Sequence, residues 1–196
     1  MKMLALALLP LAGLASAQVP RGPVLADVGA CIVRQTGGAA QALMATEVGS
    51  REESWRARQV FTANPACIGD RSGLSARVGE VRGIVAEALL EGDAAARARL
   101  SARPSAAIVR VSGQLDGRAF VVAYAACLAD SEPAKSVALL ATPHHSQAEI
   151  DAFTAYGATL NDCMPEGATY RIDRFDVRNH IAARLYQVAM APADVQ

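Results

Sequence analysis

The residues with chemistry to offer are few and scattered. His144 and His145 adjoin Ser146, and His180 lies further along the chain. Neutral imidazoles with Asp or Glu suit a metal ion, but two adjacent residues seldom aim both rings at one ion, so no metal and no cofactor are expected. A hydroxyl beside a histidine also has the parts of a nucleophile and its base. Ser146, however, lacks the G-x-S-x-G setting that exposes such a serine, and it has another task, described below. No catalytic residue is assigned.

The cysteines are more informative. Cys31 and Cys67 stand 36 positions apart, as do Cys127 and Cys163, and no C-x-x-C occurs. That spacing favours disulfides over redox or metal roles. Cys31 to Cys127 and Cys67 to Cys163 are each separated by 96 residues. Sliding the chain by that offset without a gap also superposes Leu43 on Leu139, Thr46 on Thr142, Ser50 on Ser146, Glu53 on Glu149, Val81-Arg82 on Val177-Arg178 and Leu89 on Leu185. An internal duplication is the economical reading. Its period is too long for a solenoid unit and suits two copies of one small helical repeat. It implies that Cys31 pairs with Cys67 and Cys127 with Cys163, each bridge stapling its own repeat. Pairing Cys31 with Cys127 and Cys67 with Cys163 stays open if the repeats pack about a two-fold axis.

Arg82 and Arg178 occupy the same place in the two copies. Each can pair with Glu53 or Glu149 across to the capping-box helix or hold a carbonyl near the disulfide, or the two guanidinium groups can hold an anion in a groove between the repeats. Trp55 has Asp151 as its counterpart, and it either covers the edge of an Ala-rich core or, if exposed, is a candidate contact anchor. Trp55, Arg82 and Arg178 are therefore the candidate ligand or partner contacts.

These residues need helices to place them. Ser50-Arg51-Glu52-Glu53 and Ser146-Gln147-Ala148-Glu149 are capping boxes, in which each serine accepts from the amide three residues on while the glutamate reaches back. Ile150, Phe153, Tyr156, Leu160 and Cys163 recur at helical spacing after the second box. In the first copy, Asn64-Pro65 should halt or kink the helix. Helices are also expected over about Leu25–Arg34 and Gln41–Thr46, with counterparts over Phe120–Ala129 and Ser136–Thr142. Gly37-Gly38 and Glu132-Pro133 punctuate between them. A last helix in each copy carries Val78, Val81, Val85 and Leu89, or Val177, Ile181 and Leu185. Between the copies, Asp93–Arg97 can prolong the preceding helix until Pro104. Ile108-Val109-Arg110-Val111 then reads as strand-like, with turn residues after it that permit a short hairpin.

The expected fold is therefore all-α, built as two tandem disulfide-stapled repeats of about four short helices each, over 18–92 and 119–196. An irregular connector covers 93–118. Residues 1–17 read as a signal peptide, with Lys2, an apolar run from Met3 to Leu14, and Ala15-Ser16-Ala17 before the cleavage point. The run is shorter than the roughly 20 residues of a membrane span and contains Pro10. The first cysteine is Cys31, so no lipid anchor is expected after cleavage, and the mature chain should be periplasmic or secreted.

Composition agrees with a compact helical protein. The 196 residues are 52% hydrophobic with 5% aromatic, so small aliphatic side chains must form the core. Basic and acidic residues balance at 19 each, which gives no reason to expect nucleic acid or an anionic membrane as partner. The expectation for function is a non-enzymatic binding or interaction module with a protein or small-molecule partner of unknown identity. Two alternatives stand beside it. A small hydrolase would require histidines and carboxylates to converge, and an envelope stress or holdase protein would expose apolar surface in acid.

Overall fold

A computed structural model describes residues 20–71, 73–113, 115, 117–166 and 171–191. The expected signal peptide, residues 1–17, lies outside them. The described chain is helical, with no strand among its residues, and contains two disulfides, Cys31–Cys67 and Cys127–Cys163. The helices are α1 (Arg21–Met44), α2 (Arg51–Thr62), α3 (Pro65–Ile68), α4 (Val78–Glu91), α5 (Ala94–Ser101), α6 (Gly117–Ser131), α7 (Pro133–Leu140), α8 (Gln147–Thr154), α9 (Thr159–Asp162) and α10 (Arg174–Met190). None of them is long and apolar enough to cross a membrane.

Local chemistry accounts for most of the boundaries. Ser50 Oγ accepts from the Glu53 amide at 3.0 Å and Ser146 Oγ from the Glu149 amide at 3.1 Å, starting α2 and α8. The capping boxes differ from expectation in one respect. Each glutamate reaches back one residue beyond the serine, Glu53 Oε2 accepting from Gly49 N and Glu149 Oε2 from His145 N. Both residues hold positive φ, 84° at Gly49 and 58° at His145, which turns their amides toward the helix start. Thr36 breaks the helical path inside α1 just before Gly37-Gly38, and Glu132 separates α6 from α7 just before Pro133.

Three expectations need correction. The helix after Ser146 does not run through to Cys163, because Gly157 at φ 58° ends that stretch and α9 restarts after it. Asp93 does not prolong α4. Its side chain accepts from the Ala96 amide at 2.8 Å and starts α5 as a separate helix. The connector also forms no hairpin among the described residues, because its amides bond to other elements. Ala106 N donates to Asp130 O on α6 and Val111 N to Cys163 O after α9, so the segment is strapped across the helices.

Two apolar clusters form the interior. One gathers Val28, Ile32, Leu43, Val60, Val81 and Val85 from α1, α2 and α4, joined by Ala182 and Ala183 of α10. The other gathers Phe120, Leu128, Leu139, Phe153, Ile181 and Leu185 from α6, α7, α8 and α10, joined by Leu90, Ala96 and Leu100 of α4 and α5. The clusters meet across the α4–α10 pair, where Gly83 lies under Asn179. A Cβ on Gly83 would collide with the Asn179 Cβ and stand 2.5 Å from its Cα. Gly83→Ala is therefore expected to force the central helices apart, lowering stability by about 1–3 kcal/mol in urea denaturation. Adding Asn179→Gly should recover only part of the loss, because the Cα of residue 179, 2.5 Å from the added carbon, stays in place.

Candidate functional site

Arg82 and Arg178 are at 0% and 1% exposure, the largest of the fully buried side chains. Each reaches from α4 or α10 to the C-terminal end of another helix, where few amides remain to serve the last carbonyls. Arg82 donates through Nη1 to Leu43 O and Thr46 Oγ1, and through Nη2 to Met44 O and Thr46 O, at 2.9–3.1 Å. Arg178 does the same at the end of α7. It donates through Nη2 to Leu140 O and Thr142 O, and through Nη1 to Thr142 Oγ1, at 2.8–3.2 Å. Each arginine also meets the glutamate of the capping box behind it. Arg82 Nη1 stands 3.4 Å from Glu53 Oε1, and Arg178 Nη1 stands 2.8 Å from Glu149 Oε1. These contacts match the pairing across to the capping-box helix, and they leave Arg82 no surface to offer a ligand.

The remaining partners differ. At Arg82 the additional group is a cation: Arg118 of α6 donates to both oxygens of Glu53, at 2.9 and 2.6 Å. One carboxylate thus sits between two guanidinium groups. Burial alone would raise the Glu53 pKa, but the Arg118 hydrogen bond, the Gly49 amide and the two positive charges outweigh it and hold it below the usual value. At Arg178 the additional group is an anion. Glu87 of α4 accepts from Arg178 Nη2 at 2.6 Å and from Nε at 3.2 Å, a fork-to-fork contact. One guanidinium thus sits between two carboxylates. Burial works against the charge on Glu87, yet His144 and Arg178 beside it hold its pKa below the usual value.

His144 completes this second network. Its Nε2 stands 3.2 Å from Glu87 Oε1 and its Nδ1 3.9 Å from Glu149 Oε1, with the side chain only 7% exposed. The ring packs edge-on against Phe175. Neither ring nitrogen is aligned for a hydrogen bond, so the 3.2 Å approach is an ion-pair distance only.

Beside these groups lies a cleft of about 470 Å³. α1 and α4 contribute Ala26, Asp27, Ala30, Glu87, Leu90 and Glu91 to it. α5 and the end of α7 contribute Arg97, Leu100, Val137, Leu140 and the turn to His144, with Arg178 and Leu185 at the back. The cleft is thus apolar on several sides and carries charges of both signs.

The other candidates read from the sequence lie elsewhere. Trp55 is 51% exposed on α2, with the Arg56 guanidinium 5.5 Å from its ring, and α2 does not line the cleft. The histidines do not converge. His145 packs toward Gly22, and His180 lines a smaller cleft of about 280 Å³ with Arg77, Arg118 and Asp176. Among the described residues no group of three His, Cys, Asp or Glu side chains is disposed to hold a metal. Glu87 and Arg97 line the cleft, and the sequence does not single them out. The one signal it offers is that the position 96 residues after Glu87 is Ala183, an ionisable group in one copy against a methyl in the other.

His180 gives the clearest pH dependence. Burial, followed by the charge of Arg118, lowers its pKa to about 4 from 6.5; Arg77 and Arg82 act in the same direction and Glu53 against them. A folded-state pKa below the unfolded one means that the unfolded chain binds the extra proton. Stability is therefore full above pH 6.5 and falls as pH drops toward 4, by about 3 kcal/mol in all. Urea midpoints between about pH 7 and 5 should follow this slope, and His180→Leu should flatten it.

No family model matches the chain, and no curated protein or solved structure matches it.

Proposed function

We propose that the chain is an exported binding module made from two copies of one helical unit, and that its ligand site is the cleft beside Arg178. The observation that carries this reading is the contrast between the two arginine networks. Both make the same contacts to a helix end and a capping-box glutamate. Only the network at Arg178 is extended by Glu87 and His144, and only that one borders the large cleft. The residues 96 positions away from those two additions are Ala183 and Val48, neither of them ionisable. A structural bolt needs no more than the Arg82 arrangement supplies, so the additions call for a separate explanation.

Several features support the duplication. α1 and α6 begin 96 residues apart, as do α2 and α8, and α4 and α10. The breaks at Thr36 and Glu132 keep the same offset, and so do the two disulfides. Gly83 and Asn179, which touch at the centre, are themselves 96 apart, as expected when two copies pack about an approximate two-fold axis. On this reading 18–92 and 119–196 are the copies and 93–118 the connector. Two disulfides suit a non-reducing compartment, in keeping with the export sequence read at 1–17.

The test is to recover the oxidised protein from an envelope extract and weigh it by native mass spectrometry. A bound small molecule should be retained by the wild-type chain and by Trp55→Ala, and lost from Ala26→Trp, which places an indole in the cleft and leaves both arginines in the sequence. Loss with Trp55→Ala but not Ala26→Trp would move the site to the α2 surface and overturn the reading.

A further inference from the structure

Resting on the cleft as a ligand site, we propose that its ligand is a free α-amino acid with an aliphatic side chain. Two groups in the cleft have buried nitrogens without an aligned hydrogen-bond acceptor. Arg97 makes no ion pair among the described residues, and its Nε is buried without a hydrogen-bond acceptor. A desolvated guanidinium donor is costly to leave unused, and the group whose geometry best matches it is a carboxylate. The His144 ring is more than nine-tenths buried in the same lining, and both its nitrogens lack an aligned partner.

The same lining carries the complementary sign. Glu87 and Glu91 stand one turn apart on α4, and Asp27 faces the cleft from α1. Glu87 is occupied by Arg178, while Asp27 and Glu91 make no ion pair among the described residues. A simple anion would meet these carboxylates, and a simple amine would meet Arg97. A ligand carrying both charges satisfies both kinds of group, its carboxylate toward Arg97 and its ammonium toward Asp27 and Glu91. Leu100, Val137 and Leu140 provide an apolar surface for a side chain. The volume of about 470 Å³ falls within the range of small-molecule pockets.

A matched series isolates each group. Isothermal titration of the oxidised full chain would compare L-leucine with 3-methylbutylamine, which lacks the carboxylate, and with 4-methylpentanoate, which lacks the ammonium. Leucine is expected to bind at least tenfold more tightly than either, since each loses a charge-assisted contact. Arg97→Gln should weaken leucine at least tenfold without weakening the amine, and Glu91→Gln should weaken leucine without weakening the acid. Binding of the amine or the acid as tightly as leucine would overturn the amino-acid assignment while leaving the cleft as a site. No binding in the series, with a different molecule retained from the extract and lost from Ala26→Trp, would overturn it in the same limited way. No binding and no retained molecule would overturn both readings.

Discussion

Arg178→Met is expected to lower the stability of the oxidised protein by about 3–5 kcal/mol, the range for removing one partner of a buried ion pair. The substitution leaves Glu87 and Glu149 facing the same space without a cation, and it strips donors from Leu140 O, Thr142 O and Thr142 Oγ1. Most of the cost is the uncompensated charge, so it should shrink as pH falls and Glu87, which burial pushes up once Arg178 no longer holds it down, takes up a proton. Adding Glu87→Gln should recover part of it at neutral pH. Arg82→Met removes a comparable set of carbonyl contacts, but Glu53 keeps Arg118, so its cost should lie toward the lower end of the same range. Urea denaturation at neutral pH measures both, and equal stability of Arg178→Met and wild type would contradict the network described.

Removing one disulfide should have an effect of similar size. Cys127→Ala with Cys163→Ala opens a loop with a sequence separation of 36, worth about 4 kcal/mol in the chain-entropy model. The Cys31–Cys67 bridge closes a loop of the same separation and should cost the same. Small domains have about 5–15 kcal/mol in all, so loss of both bridges is expected to leave a chain substantially unfolded without denaturant, read as lost helical ellipticity in the far ultraviolet. Full retention of helix and of a cooperative melt would show that packing alone suffices. The small side chains argue against that outcome. Where α4 and α10 meet, the fully buried contact is made by Val81, Val85, Ala182 and Ala183, with Tyr186 of α10 partly buried against them.

How much of this is legible in the sequence depends on whether the signal is local. Ser50 and Ser146 announce α2 and α8 because a cap needs only a few neighbouring residues, and the cysteine pairing follows from one offset repeated along the chain. The pairing of Arg82 and Arg178 with Glu53 and Glu149 is readable for the same reason, since both members recur together. That an arginine there can hold a carbonyl is readable, but which carbonyls is not, because those at the ends of α1 and α7 become acceptors only once α4 and α10 are packed against them. Gly157 is masked as a stop because the apolar spacing continues past it to Cys163, and tertiary packing tolerates a restart there. Glu87 and Arg97 look like ordinary surface charges. Their place in a cleft depends on how α4 and α5 lie against α7, which no short window of sequence carries.

The most direct measurement uses the fact that the chain has three histidines. Histidine-selective ¹⁵N labelling gives each imidazole its own pair of resonances, and the low-molecular-weight fraction of envelope extract can be titrated into the oxidised protein. A ligand in the cleft should move the His144 nitrogens and leave His145 and His180 in place, with no change in the Ala26→Trp variant. Movement of His180 alone, or of His144 in the filled variant, would contradict the account.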